Sequence, residues 1–162
     1  MKKFSSAFTM IELVFIIVIL GILAGIAIPR LAATRNDAQV AKIRGDVAAI
    51  RSGISLKRGE DMLRGKVSYP ELEGGNAKVL FENVVQEGIY PSKDKGKTGW
   101  LAKAGTDDAT AATATYDACV GGTCTTFTYY RKDNKDASGK IVNSGGSFDC
   151  PHGESLCQKL AQ

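Results

Sequence analysis

Between Phe8 and Pro29 the chain reads FTMIELVFIIVILGILAGIAIP, twenty-one residues before the proline, with Glu12 as their single charge. A run of about 20 apolar residues in a helix crosses the hydrocarbon core of a bilayer. Lipid offers no hydrogen-bond partners, so such a run must satisfy its own peptide groups, and a helix does so. After Pro29 the next turn signal is Gly59, and the pattern becomes amphipathic. Val40, Ile43, Val47, Ile50 and Ile54 step by 3, 4, 3 and 4, which is one helical face, with Arg35, Lys42, Asp46 and Arg51 largely off it. One helix is therefore expected, apolar in its first half and amphipathic in its second, with the amphipathic face buried under a folded domain.

Glu12 is the costly residue of the run. A carboxylate at the centre of a lipid-exposed helix costs on the order of 3 kcal/mol, and less near an end, where it can snorkel. It either reaches the headgroups or pairs with a positive group when subunits assemble. Gly21 and Gly25 form a small-xxx-small pair of the kind that docks membrane helices closely. Pro29 has no N–H for the carbonyl of Gly25. Gly21 to Ile28 therefore reads as a compliant joint rather than a dimer motif.

A short basic leader, MKKFSSA, then Phe-Thr-Met-Ile-Glu, then an apolar run closed by Pro29, resembles the N-terminus of type IV prepilins and type II secretion pseudopilins. The resemblance covers roughly residues 1 to 55 and rests on Phe8, Thr9, Ile11, Glu12 and Pro29. It implies cleavage by a prepilin peptidase between Ala7 and Phe8 and methylation of the new amino group of Phe8. The position before the cut is usually Gly in that family; this chain departs from the pattern with Ala7, a small substitute. The resemblance also implies pairing of Glu12 with the Phe8 amine of a neighbouring subunit. It further implies an inner-membrane assembly platform and polymerisation of identical and related subunits into a filament. The fold it implies is α+β and pilin-like, a long N-terminal helix packed against a small antiparallel sheet. The expected divisions are 1–7 leader, 8–28 transmembrane or filament-core half-helix, 29–58 amphipathic half-helix and 59–162 globular domain.

An ordinary secretory signal would be cut after its apolar run, near Ala27, and Glu12 argues against that. Orientation is less simple. Lys2 and Lys3 precede the span, whereas Arg30, Arg35, Lys42 and Arg44 follow it, so counting positive charges favours the leader outside. The cysteines reverse that reading. All four lie between 119 and 157, and an even cluster in a small domain outside the cytoplasm reads as two disulfides. With the prepilin resemblance, they place the leader inside and the domain in the periplasm.

The domain is punctuated by Gly59, Gly65, Pro70 and Gly74-Gly75. Val79 to Gly88 reads as a short helix with Leu80, Val84 and Phe81 inward, and Ile89 to Trp100 as a loop with Trp100 at the core edge. Gly105 to Asp117 reads as a mobile loop rich in Ala and Thr. Two β-prone runs, TYDACV and TCTTFTYY, flank Gly121-Gly122, a hairpin signal that places Cys119 opposite Cys124 as a close, non-hydrogen-bonded pair. Short strands are expected at 140–143 and 147–150, followed by a tail with one helical turn tied by Cys157. Local pairing, Cys119 with Cys124 and Cys150 with Cys157, competes with a crossed pairing that staples the tail to the sheet, as the family often does in a related way.

The chain carries no pattern of catalysis or cofactor binding. C-x4-C and C-x6-C with His152 fit no zinc spacing, and His152 is the single histidine. Glu71, Glu73, Asp107 and Asp108 do not follow a calcium loop, and neither a phosphate-cradling glycine motif nor a serine elbow occurs. A net charge of +4, or +2 without Lys2 and Lys3, is too small to argue for nucleic acid. Two other readings stay open: a DNA-uptake subunit using Lys93, Lys95, Lys97 and Lys103, and a membrane-anchored binding module that never polymerises.

Overall fold

In a computed structural model of the chain, residues 8–75, 78–94, 97–103 and 112–161 are described, with residues 29–33 given by backbone alone. They form two units, one ending at Asp37 and one starting at Ala38, and helix α1 (Met10–Leu63) contributes to both. The leader, with Ala7, lies outside the described residues, as do Lys95 and residues 104–111.

The second unit, the head, is α+β. Ile43, Val47, Ile50 and Ile54 of α1 are buried and Val40 is partly buried beside them, the face read from the 3-4-3-4 spacing. Removing each from water contributes on the order of 2 kcal/mol of gross transfer free energy. Six strands follow: β1 (Gly99–Ala102), β2 (Thr113–Val120), β3 (Thr123–Tyr130), β4 (Asn134–Lys135), β5 (Ile141–Asn143) and β6 (Phe148–Asp149). Four make one antiparallel sheet in the spatial order β1-β2-β3-β6, and β4 and β5 pair separately. Ala114, Tyr116 and Ala118 of β2 and Thr125, Phe127 and Tyr129 of β3 point inward at every second position, the period of a strand. Trp100 is 1% exposed at the core centre, its ring centroid 5.4 Å from those of Phe81 and Phe127. The hydroxyl of Tyr129 donates to the Pro70 carbonyl at 2.8 Å, which satisfies the one polar atom of a buried ring.

Gly121 and Gly122 have φ of 59° and 89°, the mirror-image turn whose twist suits two adjoining strands. The register is Val120 opposite Thr123 and Cys119 opposite Cys124, and a disulfide joins these cysteines across a Cα separation of 4.0 Å. A second disulfide, Cys150–Cys157, ties the end of β6 to helix α2 (Ser155–Ala161). The last carbonyls of so short a helix lack donors of their own. Arginines of α1 supply them. Arg44 donates to the Lys159 carbonyl through Nε at 3.0 Å and Nη2 at 2.6 Å. Arg51 donates to the carbonyls of Phe148 and Ala161 and to Asp149 Oδ1 at 3.2 Å.

Replacing Cys150 and Cys157 together by serine is expected to cost about 2 kcal/mol, since loop closure in the unfolded chain is released. The arginine contacts keep α2 in place, so the head still folds. Thermal unfolding followed by the fluorescence of the buried Trp100 checks this. The same change at Cys119 and Cys124 is expected to cost less, because the turn and the paired strands already hold that hairpin closed.

The fold corrects several expectations. Helix α1 continues past 58 to Leu63, and α2 is longer than one turn. Val79 to Gly88 is not a helix: Leu80 pairs with Ile89 through bonds of 2.8 and 2.7 Å, and the residues between them form turns. Phe81 there has φ of 61° while its ring is wholly buried. A left-handed Phe is costly, and burial of the ring against Tyr116, 4.4 Å away, offsets that cost. Val84 is only partly buried. Gly99 and Trp100, read as loop, open strand β1, and Trp100 is central rather than at the core edge. Thr113 and Ala114, assigned to a mobile loop, belong to β2.

Candidate functional site

The candidate site is the first unit. Met10–Ile28 is a 19-residue stretch, none of it buried, and among the described residues it alone is long and apolar enough to cross a membrane. At 1.5 Å per residue it spans about 28 Å, close to the thickness of a hydrocarbon core. A helix that is apolar all round is at home in lipid or inside an assembly.

The helix starts on a side-chain cap. Thr9 Oγ1 accepts the Glu12 N–H at 3.3 Å, and the Thr9 carbonyl accepts the Leu13 N–H at 3.2 Å. Thr9 is thus the N-cap and Met10 the first helical residue, which puts Glu12 at the third position, where unpaired N–H groups make the helix end positive. Glu12 also flanks a shallow groove formed with Ile11, Val14, Phe15 and Val18. Phe8, Thr9 and Glu12 are therefore gathered within one turn of chain. Gly21 and Gly25 lie further along the same helix, and a Cβ placed on either would meet no atom within 4 Å. Pro29 is described by backbone only, within α1. The sequence reading missed Thr9 as a cap, although Thr-x-x-Glu ahead of an apolar run is a capping-box spacing.

The head carries the remaining candidates. Lys93 and Lys97 are exposed, but Lys103 sits 3.5 Å from Asp117 Oδ1 and donates to Thr126 Oγ1, so the proposed DNA-contacting lysines are not equivalent. His152 Nε2 stands 3.0 Å from Asp149 Oδ2. Among the described residues no group of His, Cys, Asp or Glu is arranged to hold a metal ion.

Asp46 accepts the indole N–H of Trp100 at 3.0 Å. Burial raises its carboxyl above the ordinary 3.8, while the Trp100 hydrogen bond and Lys42 pull the other way. The native state therefore holds this proton more tightly than the unfolded chain does. The contribution is fully present below the ordinary value and is lost as pH rises through the raised one. Asp46→Asn keeps an acceptor for the indole and removes the half-buried charge. Its stability relative to the parent is expected to improve between pH 4 and pH 7, as measured by thermal unfolding at both.

The chain is 29% identical over 104 residues to the type II secretion system core protein G of Pseudomonas aeruginosa, an alignment covering 63% of this chain and 66% of that protein. It is 28% identical over 114 residues to a type IV major fimbrial protein FimA of Dichelobacter nodosus, covering 70% of this chain and 62% of the relative. The chain thus spans just under two thirds of the length of these two relatives. A further FimA from Dichelobacter nodosus is 26% identical over 169 residues, covering 99% of this chain and 94% of its own. These relatives are pilins and type II secretion pseudopilins, and the chain is similar to them at modest identity. No family model matches it, and no solved structure matches it. The exposed apolar helix and its Glu12 are thus the features of a pilin-like chain that lie outside its folded head.

Proposed function

We propose that this chain is the structural, non-enzymatic subunit of a type IV pilus or of a type II secretion pseudopilus. It is made in the inner membrane as a precursor with its head in the periplasm, cleaved by a prepilin peptidase between Ala7 and Phe8, and methylated on Phe8. An inner-membrane platform then assembles it with identical and related subunits. The observation that carries this reading is a 19-residue apolar stretch of helix, none of it buried, with the carboxylate of Glu12 in its first turn. Within a filament that surface is buried against other subunits, so extraction exchanges one apolar setting for another. A repeated heterologous contact between identical chains gives an open helix rather than a closed ring. Gly21, Gly25 and Pro29 form the joint that lets the helix adapt when packed.

Mass spectrometry of the protein from membranes and from sheared extracellular material tests this. The expected result is an N-terminus at methylated Phe8 with all four cysteines oxidised. An intact Met1, or a cut near Ala27, overturns the reading in favour of an anchored module that does not polymerise.

A further inference from the structure

We propose that the head carries a binding cleft for an acidic sugar, a saccharide ring that bears a carboxylate, between the C-terminal end of α1 and Arg131 just after β3. Such binding is a property of the head alone and stands apart from polymerisation.

The cleft begins with the way α1 stops. Gly65, two residues past the helix, has φ of 79°. The Lys66 N–H donates to the Asp61 carbonyl at 2.8 Å and the Gly65 N–H to the Met62 carbonyl at 3.0 Å. These paired bonds close a helix and turn the chain back along its last turns. Lys66 and Tyr69 thereby line one cleft with Lys57, Asp61 and Arg64, which share a helical face at steps of 4 and 3. Glu71, Asn83 and Arg131 close the other side, around a volume of about 280 Å³.

These walls are held by the fold. Arg131, with its side chain 13% exposed, donates to Glu71 Oε1 at 3.1 Å. Asn83 Nδ2 donates to the Glu73 carbonyl at 2.6 Å, which leaves its amide oxygen as an acceptor. The guanidinium carbon of Arg58 stands 3.6 Å from the centroid of the Tyr69 ring. A Cβ on Gly145 would lie 2.7 Å from the same ring, and one on Gly146 closer still, so the ring packs directly on that backbone.

The chemistry of the lining selects the ligand. Lys57, Arg64, Lys66 and Arg131 face the carboxylates of Asp61 and Glu71, an excess of two cations in a chain of net charge +4. Lys57 is paired with Glu60 and Arg131 with Glu71, but among the described residues Arg64, Lys66 and Asp61 have no side-chain partner. A guanidinium and an ammonium side by side suit a carboxylate, both of whose oxygens the guanidinium can hold. The Asp61 carboxylate and the Asn83 amide oxygen are acceptors, and they suit hydroxyl groups. A phosphodiester has no hydroxyl to give and would meet Asp61 as a like charge. A neutral sugar would leave Arg64 and Lys66 unused. The volume falls just under the roughly 300 to 1,000 Å³ of sites for drug-sized ligands, so the cleft takes a single ring. A uronic acid unit of an acidic polysaccharide meets each of these conditions.

The full chain in micelles, titrated with glucuronic acid, glucose, inorganic phosphate and a single-stranded oligonucleotide at pH 7, tests this through amide shifts at residues 57–71 and 131. Glucuronate is expected to saturate with a Kd on the order of 1 mM, and glucose to bind at least about 10-fold more weakly. Arg64→Gln combined with Lys66→Gln removes two exposed charges that hold nothing else, and should weaken glucuronate on the order of 10-fold with melting unchanged. Asp61→Asn, an independent variant, should weaken glucuronate yet strengthen phosphate, because it removes an acceptor and a repelling charge. Lys93→Gln, on an exposed side chain outside this cleft, should alter neither. No saturation by about 20 mM glucuronate overturns the site. So does glucuronate binding that survives the Arg64 and Lys66 changes. Phosphate or the oligonucleotide binding the parent more tightly than glucuronate makes this a phosphate site and overturns the acidic sugar.

Discussion

Gly53→Ala is expected to lower the melting temperature of the head by about 10 °C, a loss of roughly 2 to 3 kcal/mol in a domain of this size. Gly53 lies in the middle of α1, where alanine would ordinarily improve helix stability by about 1 kcal/mol. Tertiary contact reverses the sign. A Cβ at this position would stand 2.7 Å from the carbonyl carbon of Val84 and closer still to its oxygen, and 3.1 Å from the Val84 Cβ. The obstacle is backbone. It belongs to the turns between Leu80 and Ile89 that carry Phe81 into the aromatic core, so relief requires displacing that segment and its ring. Gly45 and Gly59 lie on the same helix, are exposed and meet nothing within 4 Å of an added Cβ. Alanine at either should raise the melting temperature by a few degrees, on the order of 1 kcal/mol each. Thermal unfolding of the three variants, followed by the buried Trp100, gives the comparison. A Gly53→Ala protein that melts with the other two would show that the contact with Val84 is not tight.

Glu12→Leu is expected to reduce sheared filament by at least about 100-fold while the protein remains abundant in the membrane. The substitution acts on both sides of the proposed equilibrium. In lipid it removes a carboxylate whose burial costs up to about 3 kcal/mol, so the unassembled subunit becomes more stable. In the filament it removes the group that would meet a neighbour's Phe8 amine, an attraction strengthened where water is excluded. Both changes favour the membrane pool. Melting of the head should be unaltered, because Glu12 belongs to the other unit. Quantifying subunit in sheared and membrane fractions by immunoblot measures the ratio. Undiminished filaments in Glu12→Leu would remove charge pairing as the assembly determinant.

Some of this molecule was legible one residue at a time. The span, its single carboxylate and the buried face Ile43-Val47-Ile50-Ile54 are periodic patterns carried by neighbours in sequence. Gly121-Gly122 specified its own turn, and with it the facing of Cys119 and Cys124, because a two-residue loop leaves one register. The Thr9 cap was present in the spacing and went unread.

The segment from Val79 to Gly88 shows where such reading stops. Its apolar spacing suits a short helix, yet about ten residues cannot sustain one on propensity alone, and packing decides. The notch at Gly53, the Leu72 carbonyl that accepts the Asn83 N–H at 3.1 Å, and the pocket that takes the Phe81 ring select turns instead. Trp100 followed the same rule. Its four-residue strand is too short to announce itself, and it exists because β2 offers it an edge. The sequence by itself determined the apolar face of α1, the hairpin and the membrane-length run, since each depends on contacts between near neighbours. The tertiary structure alone decided the turns between Leu80 and Ile89, the strand at Trp100 and the capture of α2 by Arg44 and Arg51. Those depend on groups tens of residues apart, whose meeting no local period encodes.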